Sequence, residues 1–600
     1  MKTIINFIYD IFHDFWGTVR NVSVYISHEE RRLLLQSIFI GIIVWAVIYP
    51  LKILVHELSH EMLHWLEHAP TPLVVFIPLC VGAVIVAAIS LYKASTLYYR
   101  DDDGHIHELN DVEGDGLERA ISLYYKSEPT IEQTLTGEEG VKVRWNLPTF
   151  SLALRKFAAT LVTLTSGGSG GLEASVSLIG ESIAAGLFKP RRIGQKAADK
   201  LSVLHRIWHW WQPDNPDDLQ TAQLSGVAAA VAVLFGAPFA AAFFATEVMY
   251  QRRPLIEKLI YALISALIAY FLTNVVSIGH APLFVVDVRY VPPSTPSYLG
   301  VLILMAAVIS LVAIFFSHLR KRMAHAFHYT VSNPYSRMLL GAVLTGVVAV
   351  SVAWLTQQFE LTENGLSLVL GTGESVIDAA FAGELTVLVA LIALVAKMFA
   401  TLFTVSSGGS AGLLIPSLFF GTMVASIFAS WFGYQPMMLI APAMTASLVS
   451  IVNVPLAAIL FTVEIFGSAY MVPALIVLVV CAIVAHDNSI YRTQRESYDS
   501  RQILPGVSVR RVRIPAAWEG TTLIDLDFRK KFDLNVIGLL ERRGDDNHPH
   551  VRLGTASATI LEEGDQLVVL GTDEKLEDLE TAVIQLHTSK LDDIINGEES

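Results

Sequence analysis

An all-α, multi-pass membrane protein built on an internal repeat, with a small cytoplasmic α+β domain after it, is the fold class this sequence predicts. Three observations predict it. The 600 residues are 53% hydrophobic and only 16% charged, with a mean hydropathy of +0.50, which is too apolar for a soluble chain of this size. Apolar runs of about 20 residues recur along the body of the chain. The stretch "SGGSGGLEAS" (166–175) also returns as "SGGSAGLLIP" (407–416), 241 positions later, with Leu414 where Glu173 stood.

Taken in order, residues 1–32 read as an amphipathic N-terminal segment bearing Phe7, Ile11, Phe12, Phe15 and Trp16. Residues 33–495 form the membrane body, interrupted by a polar loop at 99–147. Leu33–Leu51, Leu73–Leu91, Leu255–Leu272, Leu299–Phe316, Met338–Leu355 and Leu385–Leu402 are long enough to span. Ser175–Leu187 is too short, and a broken helix of that kind must pack inside protein or line a cavity, because lipid satisfies no backbone group. No cleavable signal is evident. Cys80 and Cys481 lie in apolar runs and offer no disulfide framework.

The net charge of −14 is spread over two unlike regions and points to no nucleic-acid partner. Loop basicity is more informative. "RR" (31–32), "KPRRIGQK" (189–196) and "HLRKRMAH" (318–325) should face the cytoplasm, while 277–297 and 357–375 have almost no Lys or Arg and should face the other side. The expected location is a cell membrane, a prokaryotic inner membrane, with both termini cytoplasmic.

Composition changes at 505. "VSVRRVRIP" (507–515) alternates as a strand does, "NVIGLLERRG" and "DQLVVLGT" read as further strands, and "DEKLEDLETAVIQL" as a closing helix. A small soluble domain over 505–590 follows.

The repeat has a second pair of anchors. "GAPFAAAFFATEV" (236–248) matches "NVPLAAILFTVEI" (453–465), with Pro238 over Pro455 and Glu247 over Glu464 at an offset of 217. The first half therefore carries 24 extra residues between its motifs, which the basic loop after Lys189 accommodates. Halves of about 33–278 and 297–495 follow. Matching interrupted helices in two halves mark transporters and channels built from repeats, with the site where the broken helices meet.

A glycine turn that opens a helix aims free N–H groups at one point, where the helix dipole adds positive charge. Gly170-Gly171 and Ala411-Gly412 would form two such anion cups; close packing through small residues is the competing explanation. Glu173 tips the balance, because an ionisable group at membrane depth is costly and usually functional. A carboxylate beside such a cup occupies it as a tethered ligand and leaves when protonated. Lys397, inside an apolar run, reads chiefly as a snorkelling or structural residue.

These residues resemble the CLC family of chloride channels and chloride/proton antiporters over roughly 33–495. "GGLEASVSLIG" (170–180) resembles the family stretch G-[RK]-E-G-P-x-x-x-x-G, which implies Glu173 as gating glutamate beside Gly170, Gly171 and Leu172. "GLLIPSLFFG" (412–421) resembles G-x-F-x-P, implying anion contacts from Gly412 and the amides of Leu413 and Leu414. "GDGLE" (114–118) stands where the family has G-S-G-I-P, bringing in Asp115 and Gly116, and "NSIY" (488–491) implies Tyr491 as the anion-binding tyrosine. The implied fold is a CLC-type inverted repeat with broken helices meeting at a central anion site, as a homodimer. Departures are plain: Asp115 replaces serine and should repel an anion unless protonated or turned away. Leu172, Ala174 and Ser175 replace the basic residue, Gly and Pro, and Leu414 replaces Phe.

Val248 occupies the proton-relay position where coupled family members carry an inner glutamate. Glu247, one residue earlier, points roughly 100° away around the helix and has a repeat mate in Glu464. A passive, gated chloride channel is favoured, with chloride/proton exchange as the alternative and no cofactor or catalytic residue expected. A reading of another class is an intramembrane zinc protease, from "HELSH" (56–60), but no third ligand motif accompanies it. Residues 505–590 resemble the TrkA-C (RCK C-terminal) module, which implies dimer contacts and a small-molecule or ion ligand. The Rossmann lobe that often precedes that module is missing.

Overall fold

The computed structural model describes residues 28–92, 96–100, 106–126, 149–188, 211, 216–249, 256–276, 290–362, 365–486, 488–491, 500–504, 507–541, 550–553, 559–562, 565–572 and parts of 575–583. Nearly all of the amphipathic N-terminal segment, the basic loop after Lys189 and most of the polar loop at 99–147 lie outside the described residues. The chain divides into two compact units, one of residues 1–97, 109–125 and 147–493, the other of 98–108, 126–146 and 494–600.

The first unit is helical. Its helices are α1 (His28–Glu67), α2 (Phe76–Leu91), α3 (Leu117–Lys126), α4 (Phe150–Thr165), α5 (Glu173–Phe188), α6 (Pro216–Phe235), α7 (Pro238–Glu247) and α8 (Ile256–Val276). They continue with α9 (Pro296–Thr330), α10 (Pro334–Gln358), α11 (Glu374–Ala382), α12 (Val387–Ser406), α13 (Leu414–Phe432), α14 (Pro436–Ser447), α15 (Pro455–Phe466) and α16 (Met471–Val484). Among the described residues, eight helices are long and apolar enough to cross a membrane: α1, α2 with its preceding turn, α6, α8, α9, α10, α12 and α13.

Their burial separates two populations. The apolar windows of α1, α2 and α8 are 39%, 33% and 28% buried, whereas those of α6 and α13 are 100% and 89% buried. The first group leaves an apolar face for lipid; the second is enclosed by protein. Helix α5 is too short to span and is buried along its length, as a helix broken at membrane depth must be. It crosses α6 where Gly180 and Gly226 meet, so close that a Cβ on Gly226 would stand 2.8 Å from the Ala184 side chain.

Local sequence sets the helix starts. Proline occupies the first turn of α7, α9, α10, α14 and α15, where its missing N–H costs no bond. Asn333 accepts from Tyr335 N at 3.0 Å and Thr386 from Val389 N at 3.3 Å, capping α10 and α12. The basic "HLRKRMAH" stretch is no loop but the last turns of α9.

The second unit contains a five-stranded antiparallel sheet of β3 (Ser500–Leu504), β4 (Val507–Arg513), β5 (Asn535–Glu541), β6 (His550–Leu553) and β7 (Gln566–Thr572), ordered β3-β4-β7-β5-β6. Strands β1 (Thr96–Arg100) and β2 (Ile106–Asn110) form a separate two-stranded sheet. Strand β7 is central and alternates inward Leu567 and Val569 over a core containing Trp518, Phe528 and Leu539. Thr522 and Asp525 cap each other's backbone, at 3.0 and 3.2 Å, and the Thr522 hydroxyl, donating to Asp525 Oδ2 at 2.6 Å, holds that carboxyl below its ordinary range together with the Thr522 N–H.

Candidate functional site

The two glycine turns meet face to face. Gly171 N donates to Gly412 O at 2.8 Å and Gly412 N to Gly171 O at 2.6 Å, a two-residue antiparallel bridge on the axis relating the halves. Around it, the serine–threonine bonds have mates 241 positions away. Ser169 Oγ pairs with Thr401 Oγ1 at 3.0 Å, and Ser410 Oγ with Thr160 Oγ1 at 2.9 Å. Thr404 Oγ1 accepts from Ser169 N at 3.1 Å, and Thr163 Oγ1 from Ser410 N at 3.1 Å. Gly167 and Gly408 turn the chain at φ +97° and +113°, a conformation that favours glycine.

Glu173 is the first residue of α5 and is buried. Its carboxylate crosses to the other half, where Oε2 accepts from Ile415 N at 3.3 Å; its own N–H and that of Leu172 lie close. Oε1 is buried with no hydrogen-bond partner. The carboxylate lies directly over both glycines: a Cβ on Gly412 would sit 3.0 Å from Oε2, and one on Gly171 2.9 Å from Cδ. This carboxylate contact falls one residue past the Leu413 and Leu414 amides, within the first turn of α13, which begins at Leu414. The amides of Gly170, Gly171 and Gly412 are spent on the carbonyls of Gly371, Gly412 and Gly171. The carboxylate thus sits at the N-terminus of α13, where a free anion would be favoured.

Asp115 and Tyr491 complete the constellation. Both are buried, and Asp115 Oδ2 and Tyr491 Oη have no completed hydrogen bond. The Tyr491 hydroxyl lies beside the Asp115 carboxyl and within electrostatic reach of Glu173 and Arg320. Tyr491 is pinned from behind: Ile490 N donates to Ile451 O at 2.9 Å, Asn488 Nδ2 to Ser450 O at 2.8 Å, and Arg320 to Ile490 O. Gly116 has φ +97°, and a Cβ there would meet Lys156 Cε at 2.8 Å.

Lys156 had no place in the motif reading. Wholly buried, it donates to Val112 O at 3.1 Å and Gly114 O at 2.8 Å, clamping the loop that carries Asp115. Its mate in the other half, Lys397, donates to Val369 O, Leu370 O and Gly371 O at 3.2, 3.3 and 2.7 Å, over the Phe419 ring at 5.7 Å. Applying the 241-residue offset along α4 and α12 pairs the two lysines, as it pairs Thr160 with Thr401 and Thr163 with Thr404.

Glu247 and Glu464 exchange places. Glu247 accepts from Leu456 N and Ala457 N at 3.2 and 3.0 Å, at the start of α15; Glu464 accepts from Phe239 N and Ala240 N at 3.0 and 2.8 Å, at the start of α7. Val248 is buried at the end of α7. Glu181 is bonded by Gln223 and by Ser182 Oγ. The HELSH stretch lies on α1, with His56 largely exposed and 3.9 Å from Glu374. Among the described residues no group of His, Cys, Asp and Glu is arranged to hold a metal ion.

Residues 121–486 match the family described as voltage gated chloride channel. The chain belongs to that family. Residues 508–583 match the TrkA-C domain. An H(+)/Cl(-) exchange transporter ClcA from Vibrio vulnificus is 24% identical over 290 residues, which cover 46% of this chain and 59% of that protein. A voltage-gated ClC-type chloride channel ClcB from Escherichia coli is 24% identical over 360 residues, 57% of this chain and 75% of that one. The crystal structure of a CLC-type fluoride/proton antiporter aligns with TM-score 0.59 at 22% identity, covering 78% of this chain and 100% of that chain. This last likeness is one of fold, and it places the chain among CLC-type helical membrane proteins with broken helices.

Proposed function

We propose that the chain moves small anions, chloride first, across a membrane through a gated passive path, with Glu173 as gate. The observation that carries this reading is the crossing carboxylate: Glu173 Oε2 occupies the N-terminus of α13 while Oε1 stays unpartnered. Protonation weakens its hold on the Ile415 amide and frees the place for an anion, contacted by the α5 and α13 starts, Tyr491 and the Asp115 loop. Glu173→Gln imitates the protonated gate. Anion flux from liposomes should then be high at every pH, whereas wild-type flux rises with acid. A mutant whose flux keeps the wild-type acid dependence would sink the gate.

Chloride/proton exchange is the second reading. It is supported by the Asp115 carboxyl inside the site and by relatives described as exchangers. Val248, which cannot hold a proton, speaks for the channel. Reversal potential under opposed chloride and proton gradients decides: a channel follows chloride alone, while uphill proton uptake driven by chloride efflux establishes the exchanger.

The protein works without enzymatic chemistry or cofactor, as a homodimer in a cell membrane with cytoplasmic termini. The TrkA-C unit adds control by a small ligand. Truncation before residue 505 should leave a folded, dimeric membrane unit whose flux no longer responds to a panel of nucleotides, cyclic dinucleotides and divalent ions. Equal responses from both forms would make the domain passive.

A further inference from the structure

Asp115 poses a problem that anion transport alone does not solve. It is 4% exposed, and its Oδ2 has no partner. Ser175 Oγ donates at 3.3 Å to the Asp115 backbone carbonyl and so fixes the loop, not the carboxyl. The other carboxyl oxygen faces the backbone N–H of Glu118, as a cap on α3.

The charged groups around it come from four further elements. Lys156 on α4 is committed to Val112 O and Gly114 O; Arg320 on α9 is committed to Glu118 Oε2 at 3.3 Å and to Ile490 O. Glu118 on α3 and Glu173 on α5 bring two further carboxyl groups, and Tyr491 stands beside the Asp115 carboxyl. Two basic and two other acidic side chains thus share the neighbourhood, and Oδ2 accepts a hydrogen bond from none of them. Three buried polar atoms are left without a partner in one constellation: Asp115 Oδ2, Glu173 Oε1 and Tyr491 Oη.

We infer that Asp115 enters the anion site as a neutral acid, so that each anion bound there takes up one proton at this residue. The inference rests on the anion-transport reading above and names how that site is controlled. As a carboxylate, Asp115 offers only lone pairs. At a separation of about 4 Å and an effective dielectric constant of about 20, its charge would weaken anion binding by roughly a thousandfold. As an acid it supplies an O–H donor next to the Tyr491 hydroxyl, which is the chemistry an anion needs. Proton and anion then favour each other's binding by the same factor. The proton comes from solvent and returns to solvent when the anion leaves.

Capping α3 is the competing role, and asparagine or serine would keep the cap while removing the proton. The test uses full-length protein in detergent micelles carrying Glu173→Gln, so that the gate releases no proton. Chloride is titrated into weakly buffered protein with a pH indicator, and its affinity is measured by calorimetry from about pH 5.5 to about pH 8.5. Proton uptake approaching one per chloride is expected, with affinity falling about tenfold per pH unit on the alkaline side. Adding D115N, or D115S if the first variant does not fold, should abolish the uptake and flatten the pH profile while chloride still binds. Chloride binding to the Glu173→Gln protein with constant affinity and no proton uptake overturns the inference, as does uptake that survives D115N. Absence of chloride binding at every pH overturns the anion reading itself, and the inference with it.

Discussion

The two halves of the membrane unit agree in what holds them and differ in what can react. Lys156 and Lys397, Glu247 and Glu464, and the Ser169 and Ser410 bonds to threonine occur in both, each reaching its counterpart position. At the proposed gate the halves part: Glu173 begins α5, and Leu414 begins α13. They part again in the clamped loops, where "GDG" (114–116) in one half faces "GTG" (371–373) in the other. Duplication therefore marks the framework, and asymmetry marks the chemistry. Each prediction below pairs a residue with its mate, and unequal mates would break the comparison.

The lysines should give the largest effect. Lys156→Met orphans the carbonyls of Val112 and Gly114, and Lys397→Met those of Val369 and Leu370, while Gly371 O keeps the Gly170 N–H. A buried polar group left without a partner costs about 1–3 kcal/mol, so each variant should lose about 2–4 kcal/mol or fail to accumulate as a monodisperse protein. Thermal unfolding and size-exclusion profiles of both variants measure this. Should Lys397→Met melt like wild type while Lys156→Met does not, Lys156 serves the Asp115 loop rather than the framework.

The glutamates come next. Each carboxylate caps the N-terminus of a helix in the opposite half, a contact whose loss costs about 1–2 kcal/mol. Glu247→Ala and Glu464→Ala should destabilise by similar amounts and leave the ratio of protons to chloride moved, including zero, unchanged. Loss of proton coupling in Glu247→Ala alone would restore that residue as the relay beside Val248, and the symmetry argument for it would fail.

These pairs also show how far the sequence could be read. The glycine turns and the Pro–Glu segments are legible because the letters recur; the 241 and 217 offsets align α5 with α13 and α7 with α15. The two lysines share the same offset, yet no motif spells them, since a lysine in an apolar run reads equally as snorkelling. What stays hidden is the exchange: nothing in the letters says that Ser169 bonds to Thr401 of the other half, or that Glu247 caps α15. A two-fold axis through Gly171 and Gly412 forces that exchange, and it exists only after folding. The meeting of Asp115 and Tyr491 came from family resemblance alone, because residues so distant in sequence share no local pattern.

The smallest effect belongs to the serines. Ser169 Oγ and Ser410 Oγ each make one buried bond to a threonine hydroxyl of the other half. Hydrogen bonds between membrane helices average about 0.6 kcal/mol, because the unfolded chain in lipid also finds partners. Ser169→Ala and Ser410→Ala should therefore each cost about 0.5–1 kcal/mol, and the same for both. Coupling energies from double-mutant cycles with Thr401 and Thr160 should agree within about 0.5 kcal/mol. Ser169 stands four residues before Glu173, while Ser410 stands four before Leu414. If the two cost the same in stability but only Ser169→Ala shifts the pH at which flux rises, the bond at Ser169 positions the gate. Equal stability and unchanged flux in both variants would leave the serines wholly within the duplicated framework.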